Sequence, residues 1–333
     1  MPRSGAPSRT VLYSALVLIT LLSVLLALSV GAAKLPIDTV LAVLSGGGSS
    51  EQRAIVLELR LPRALMALLA GGALAMSGTV FQAVLRNPLA EPYVLGVSGG
   101  AAVGAVVAIM LGVGQSRWAL PIAALAGAIL TIALVLRIAL QAGRALDSRV
   151  LLLAGVIAGA FLNAIILLLL TFADVESFRS AIFWMMGSLA GASWGDTLLL
   201  GAYVIPGALL LLALTRPLNL LALGEETAAH LGVNVTRSRI VAYLAASLLT
   251  AVSVATCGVI GFIGLIIPHT LRLLRGGEHG FLLPASFIAG AAFLLLTDTL
   301  ARTLAPPTEL PVGVVTALIG VPVFVALLRR SGT

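Results

Sequence analysis

Long apolar runs separated by short polar breaks dominate this chain. The first, residues 11–33, follows a polar start carrying Arg3 and Arg9. Others cover about 62–85, 93–111, 118–136, 150–172, 194–214, 240–257, 258–272, 281–304 and 312–328. Most approach twenty residues, the helical length that crosses about 30 Å of hydrocarbon. None alternates with the period of two that a membrane barrel requires. The pattern predicts an all-α integral membrane protein of about ten transmembrane helices. Residues 11–33 outrun a signal-peptide core of about 7–15 residues, although small residues close the run.

The breaks carry their own signals. Residues 34–60 and 173–193 read as outer segments, the first with a Gly/Ser turn at 45–50 and the second dipping back toward the membrane at F-W-M-M. Residues 86–92, R-N-P-L-A-E-P, form an inner breaker with two prolines. Gly96, Gly100 and Gly104 predict a smooth packing stripe on the third helix. Residues 216–239 divide two long apolar halves. Within them 225–231 is predicted as one short helix, with Glu225 and Glu226 in its first turn, His230 in its last and Gly232 as a left-handed cap. Gly224 lets the chain turn into it. Two readings stay open from the residues alone: a capped connector lying on headgroups, or a peg on which another protein docks.

Composition narrows the class. With 60% apolar and 10% charged residues and a mean hydropathy of +1.13, an ordinary soluble domain is excluded. The net charge of +7 is spread over short loops and reads as topology rather than nucleic-acid binding. In the ten-helix reading thirteen of the 20 Lys and Arg fall inside and seven outside, which places both termini in the cytoplasm. The two five-helix halves then have opposite orientation, as in an inverted repeat. Lys34 is the one lysine and no P-loop precedes it, so this chain does not hydrolyse ATP by that route. His230, His269 and His279 are scattered, and the single Cys257 excludes a thiolate cluster and reads as a core residue. Asp298 is the one plainly intramembrane acid, with Thr297 or Arg302 as its expected partner. So few buried ionisable groups argue for a conduit powered from outside rather than an ion-coupled transporter.

Five segments carry a resemblance. They are L-R-L-P-R-A-L-M-A-L-L-A-G-G-A-L-A-M-S-G, R-N-P-L-A-E-P-Y-V-L-G-V-S-G-G-A, L-N-L-L-A-L-G-E-E-T-A-A-H-L-G-V, G-F-I-G-L-I-I-P-H-T-L-R and E-L-P-V-G-V-V-T-A-L-I-G-V-P-V-F. In this order they closely resemble the iron-siderophore, haem and vitamin B12 permeases of type II ABC importers, over about residues 59–328. The resemblance implies one vitamin B12-permease-like transmembrane domain over 1–333, with 216–239 as its cytoplasmic coupling loop. It also implies a homodimer in a bacterial inner membrane, two separate ATP-binding cassette subunits that carry ATP and magnesium, and a periplasmic substrate-binding protein. No cofactor or metal is expected in this chain.

Carried over residue by residue, the resemblance makes Gly224, Glu225, Glu226, His230, Leu231 and Gly232 an ATPase-coupling helix. Arg60, Arg63 and Arg302 would dock acidic residues of the binding protein, a role suited to guanidinium forks. Anchoring at the headgroups is the competing role for each. Asn87 and Leu89 would form one inner constriction of the pathway. Leu146, Asp147 and Ser148 fall at the second, where Asp147 departs from the small hydroxyl expected there. Arg179 would meet an acidic group of the cargo, or else a headgroup, Asp174 or Glu176. Met185 and Met186 are expected to pack. The expected cargo is haem or a ferric siderophore, with cobalamin as the alternative and an ion-coupled secondary transporter as the alternative from another class.

Overall fold

A computed structural model describes residues 8–31, 33–113, 118–141 and 148–331, and those residues form helices and loops with no strand. The helices are α1 Arg9–Ser29, α2 Ile37–Leu44, α3 Ser50–Arg53, α4 Leu61–Val84, α5 Val97–Met110, α6 Ala119–Gln141, α7 Ser148–Phe172 and α8 Val175–Met185, followed by α9 Trp194–Ala213, α10 Thr215–Leu223, α11 Glu225–His230, α12 Val235–Cys257, α13 Ile263–Arg275, α14 His279–Ala301 and α15 Val312–Ser331. Each of the ten apolar runs coincides with one of them. Seven stretches among the described residues are long and apolar enough to cross a membrane: α1, Ser50–Val84, α6, α7, α9, α12 and α14.

The hub is α4. In its stretch 83% of the most apolar window is buried, against 17% in α1, so α4 is an axis and α1 a peripheral strut. Its A-L-L-A-G-G-A-L-A-M-S-G sequence explains the difference. Small residues let neighbouring backbones approach until dispersion and close helix contact hold them, as lipid-embedded helices require. A methyl on Gly71 would overlap the carbonyl of Gly290 in α14, and one on Gly78 would overlap Gly264 in α13. Helices α9 and α12 complete the ring around α4. The outward faces are apolar instead, with Leu130 and Leu167 about 70% exposed, a surface suited to lipid rather than water.

Several breaks hold more structure than their sequence signals. The segment 34–60 contains α2, α3 and a π-helical turn, Ala54–Arg60, that runs straight into α4. The segment 173–193 contains α8, capped by Asp174, whose carboxylate accepts from the Ser177 N–H at 2.7 Å. Just past its F-W-M-M end the chain is tied to α12, where Ser188 N–H donates to the Cys257 carbonyl at 2.8 Å. The third helix starts later than expected. Pro92–Leu95 forms a 3₁₀ turn, and Gly96, with φ 76°, caps α5 in a left-handed conformation. Of the glycine stripe, Gly100 and Gly104 lie against the α6 backbone and Gly96 lies instead beside α7.

Two helices, α5 and α13, span only about 20 Å each. The turns that precede them are bolted together. Tyr93 hydroxyl accepts from Ile260 N–H at 2.9 Å and donates to the Ile260 carbonyl at 2.5 Å. Glu91 accepts from Phe262 N–H at 2.5 Å, where Phe262 takes a left-handed φ of 70°. A non-glycine residue held there is strained, and these side chains fix the turn that imposes it.

Candidate functional site: two polar ends of one buried axis

Helix α4 is about 36 Å long, and a polar cluster stands at each end of it. At its N-terminal end Arg63 forks onto Asp298 of α14: Nε lies 3.2 and 3.0 Å from the two carboxylate oxygens, and Nη2 lies 2.9 Å from Oδ1. Its remaining nitrogen, Nη1, donates to Glu309 at 2.9 Å. Asp298 is 1% exposed, so a fixed guanidinium is what lets a carboxylate persist there. Of the two expected partners, Arg302 makes a longer ion pair with the same carboxylate at 3.9 Å, whereas Thr297 donates its hydroxyl to the Phe293 and Leu294 carbonyls, the usual helical habit of threonine.

The other two arginines at this end serve the backbone. Arg60 donates to Leu28 O at 2.6 Å and to Ala33 O, and Arg302 donates to Ala27 O at 2.5 Å. Together they close the end of α1, whose terminal carbonyls lack helical partners. All three arginines line a cavity of about 910 Å³ with Lys34, Thr303 and Glu309. The sequence reading missed Glu309. Its one signal was an acid isolated in the short segment that follows Arg302.

At the opposite end α11 forms as its sequence predicts. Val233 N–H donates to Ala228 O and Gly232 N–H to Ala229 O, both 3.0 Å, with Gly232 at φ 81°. This is the Schellman closure, which needs a residue free to enter the left-handed region. Ala228 is buried, whereas Glu226, His230, Leu231 and Gly232 face outward, as does Leu223 just before them. Exposed leucines on an otherwise polar helix form a small apolar knob. Glu225 points the other way. Its Oε1 lies 2.7 Å from Arg239 Nη2 and 3.4 Å from Arg86 Nη1.

Asn87 and Leu89 directly follow Arg86, and the Asn87 side chain accepts from Leu89 N–H at 2.9 Å. Ser148 joins them, its hydroxyl donating to the Val84 carbonyl at 2.8 Å. Leu146 and Asp147 lie outside the described residues. Helix α10 is fixed nearby through Asn219, which accepts from His279 N–H at 2.8 Å and donates to Glu278 at 3.1 Å. Burial opposes the charge of Glu278. The Gly280 N–H, Asn219, Arg9 and the Phe281 N–H outweigh it and hold this carboxyl below its usual range.

Arg179 sits apart from both clusters, its guanidinium 5.6 Å from the centre of the Phe183 ring one turn along α8. Met185 and Met186 line an apolar groove of about 640 Å³ with Phe262, Gly313, Leu318 and Val321 along α15. Among the described residues no group of three His, Cys, Asp or Glu is placed to hold a metal ion.

Long apolar helices packed around a buried axis, with ionic clusters at both ends of it, define a multi-pass membrane protein. The sequence profile of the FecCD transport family matches residues 19–330, and the chain belongs to that family, the permease subunits of ABC importers. It is 39% identical to a protein of Methanocaldococcus jannaschii described as an ABC transporter permease, over 97% of this chain and 95% of that one. It is 45% identical to the vitamin B12 import system permease protein BtuC of Escherichia coli O139:H28, over 83% of this chain and 84% of that one. Among solved structures, an inward-facing metal-chelate type ABC transporter superposes with a TM-score of 0.87 at 34% identity, covering 97% of this chain and all of that one. PsaBC from Streptococcus pneumoniae, in complex with Fab, shares the fold with a TM-score of 0.54 at 18% identity, over 80% and 89% of the two chains.

Proposed function

We propose that this chain is the membrane subunit of an ATP-driven importer that carries an iron chelate, haem or a ferric siderophore, across a bacterial inner membrane from periplasm to cytoplasm. The family match over residues 19–330 carries this reading, and the likeness to a metal-chelate type transporter favours the cargo class. The likeness to BtuC favours cobalamin as the second reading. In this proposal ten helices cross the membrane, both termini are cytoplasmic, and two copies pair around a shared path. ATP and magnesium reside on two partner subunits and no cofactor on this chain. The deciding experiment is uptake into vesicles by the reconstituted complex, offered haem, a ferric siderophore or cobalamin. Iron-chelate uptake that needs ATP is expected. Cobalamin uptake alone would transfer the assignment to the second reading, and gradient-driven uptake by this chain alone would end both.

The α11 end is the proposed ATPase dock, because its knob of Leu231, Glu226 and His230 projects from a capped, rigid turn. Leu231→Asp should cut co-purification of the ATPase subunit at least several-fold while the permease itself purifies normally, since Leu231 is 52% exposed. Equal recovery of the complex would return α11 to a connector. The cation-lined cavity at the other end is the proposed seat for acidic residues of a binding protein. Asn87, Leu89, Leu146, Asp147 and Ser148 are proposed to line the inner constriction, and Arg179 to stand near the outer mouth.

A further inference from the structure

Glu225 is part of α11, yet its carboxylate is turned away from the exposed knob. It touches two arginines whose situations differ. Arg239 is 2% exposed and rooted in α12, a fixed post. Arg86 is 41% exposed and stands where α4 gives way to the loop of Asn87 and Leu89, with a left-handed φ of 48°. Its other terminal nitrogen donates to the Leu221 carbonyl of α10 at 3.3 Å. One carboxylate oxygen therefore bridges the docking helix, the foot of α12 and the first residue of the loop that carries the proposed constriction.

A pair this open to water adds little net stability. What it supplies is position. The Glu225–Arg86 ion pair, at 3.4 Å, weakens as the charges separate, so a shift of α11 relative to α12 must either loosen it or draw Arg86 along. Ser148 ties the neighbouring Val84 carbonyl, so displacement of Arg86 bears on the 84–89 segment rather than on the whole of α4.

We propose that Glu225 is a positioning residue that links α11 to the 86–89 loop through Arg86, and that it is not itself a contact for the ATPase. This rests on the reading of α11 as the ATPase dock. Its action would be to move the inner constriction when nucleotide binding moves the dock.

The test uses the assembled permease–ATPase complex with Leu89→Cys as a reporter, labelled by a hydrophilic maleimide with and without ATP and magnesium. Cys257, buried and 2% exposed, serves as the silent background thiol. In the parent, ATP should change the labelling rate several-fold. Arg86→Gln, a change at a half-exposed residue, should keep the ATPase bound and abolish that response. Glu225→Gln should do the same, and the double variant should be no worse than either single one, as expected for two ends of one contact. A parent that ignores ATP, or an Arg86→Gln complex that still responds fully, overturns the proposal. So does a Glu225→Gln permease that loses its ATPase, since the carboxylate would then be a docking contact. Should Glu225→Gln fail to purify, Arg86→Gln alone decides. Loss of the dock itself is read separately, by Leu231→Asp leaving ATPase binding unchanged.

Discussion

Gly78→Ala should leave almost no folded permease to purify. The added methyl would sit 2.5 Å from both the carbonyl carbon and Cα of Gly264, and closer still to its oxygen. Every atom it meets is backbone, so no side chain can rotate aside. Gly264 is itself wedged: a methyl there would lie 2.7 Å from the Pro92 ring and 2.9 Å from the Leu74 carbonyl. Relief requires α13 to move off α4, which would also strain the Glu91 and Tyr93 ties to the turn before α13. Overpacking commonly costs about 1–3 kcal/mol. A clash of two main chains on the central axis belongs with the exceptional substitutions, above about 4 kcal/mol. Gly201→Ala is the control, because its methyl would find only Leu69 Cδ1, at 3.5 Å. Size-exclusion yield and thermal unfolding in detergent measure both. A Gly78→Ala protein as stable as Gly201→Ala would show that the α4–α13 contact is looser than described.

The second large effect is expected at the other end of α4. Arg63→Leu strands the Asp298 carboxylate, 1% exposed, with Arg302 at 3.9 Å as its nearest remaining cation. Removing one member of a buried pair typically costs about 3–5 kcal/mol, because the partner keeps its charge and loses its compensation. Replacing both is far milder. Arg63→Leu with Asp298→Leu should therefore recover most of the loss, even though it removes more polar contacts. The melting temperatures of the single and double variants in detergent provide the measurement. A double variant no better than Arg63→Leu would mean that Glu309, rather than Asp298, sets the need for the arginine.

Much of this was legible in the sequence, and the physical reason is locality. A crossing helix is written in one continuous apolar run, and a Schellman turn in a glycine at the right place, so the ten apolar runs and the cap at Gly232 could be read directly. The helices α2, α8 and α10 could not, because they are short or lie among polar residues and gain their stability from what they rest on. Gly96 was read as a packing residue, and it does pack, but as a left-handed cap that starts α5 late. Long-range pairings were the least legible. Asp298 was seen as an intramembrane acid, and helix spacing found its weaker partner, Arg302, but its forked partner lies 235 residues away. Glu225 was assigned to the right helix by its place in an acidic first turn, while the direction of its side chain depends on Arg86 and Arg239, which no local pattern connects. The role of Arg60 and Arg302 as caps for α1 was hidden for the same reason.

The same 235-residue separation sets a schedule for synthesis. At roughly 5–20 residues per second, Asp298 follows Arg63 out of the ribosome by roughly 12–47 seconds. Throughout that interval the axis helix carries an arginine whose native acid does not yet exist. The nascent half-protein must shelter that charge, by lifting it to the headgroups or by retaining water or the insertion machinery around it. An unfinished chain thus differs chemically from a finished one, by a guanidinium that gains its buried carboxylate only when α14 arrives.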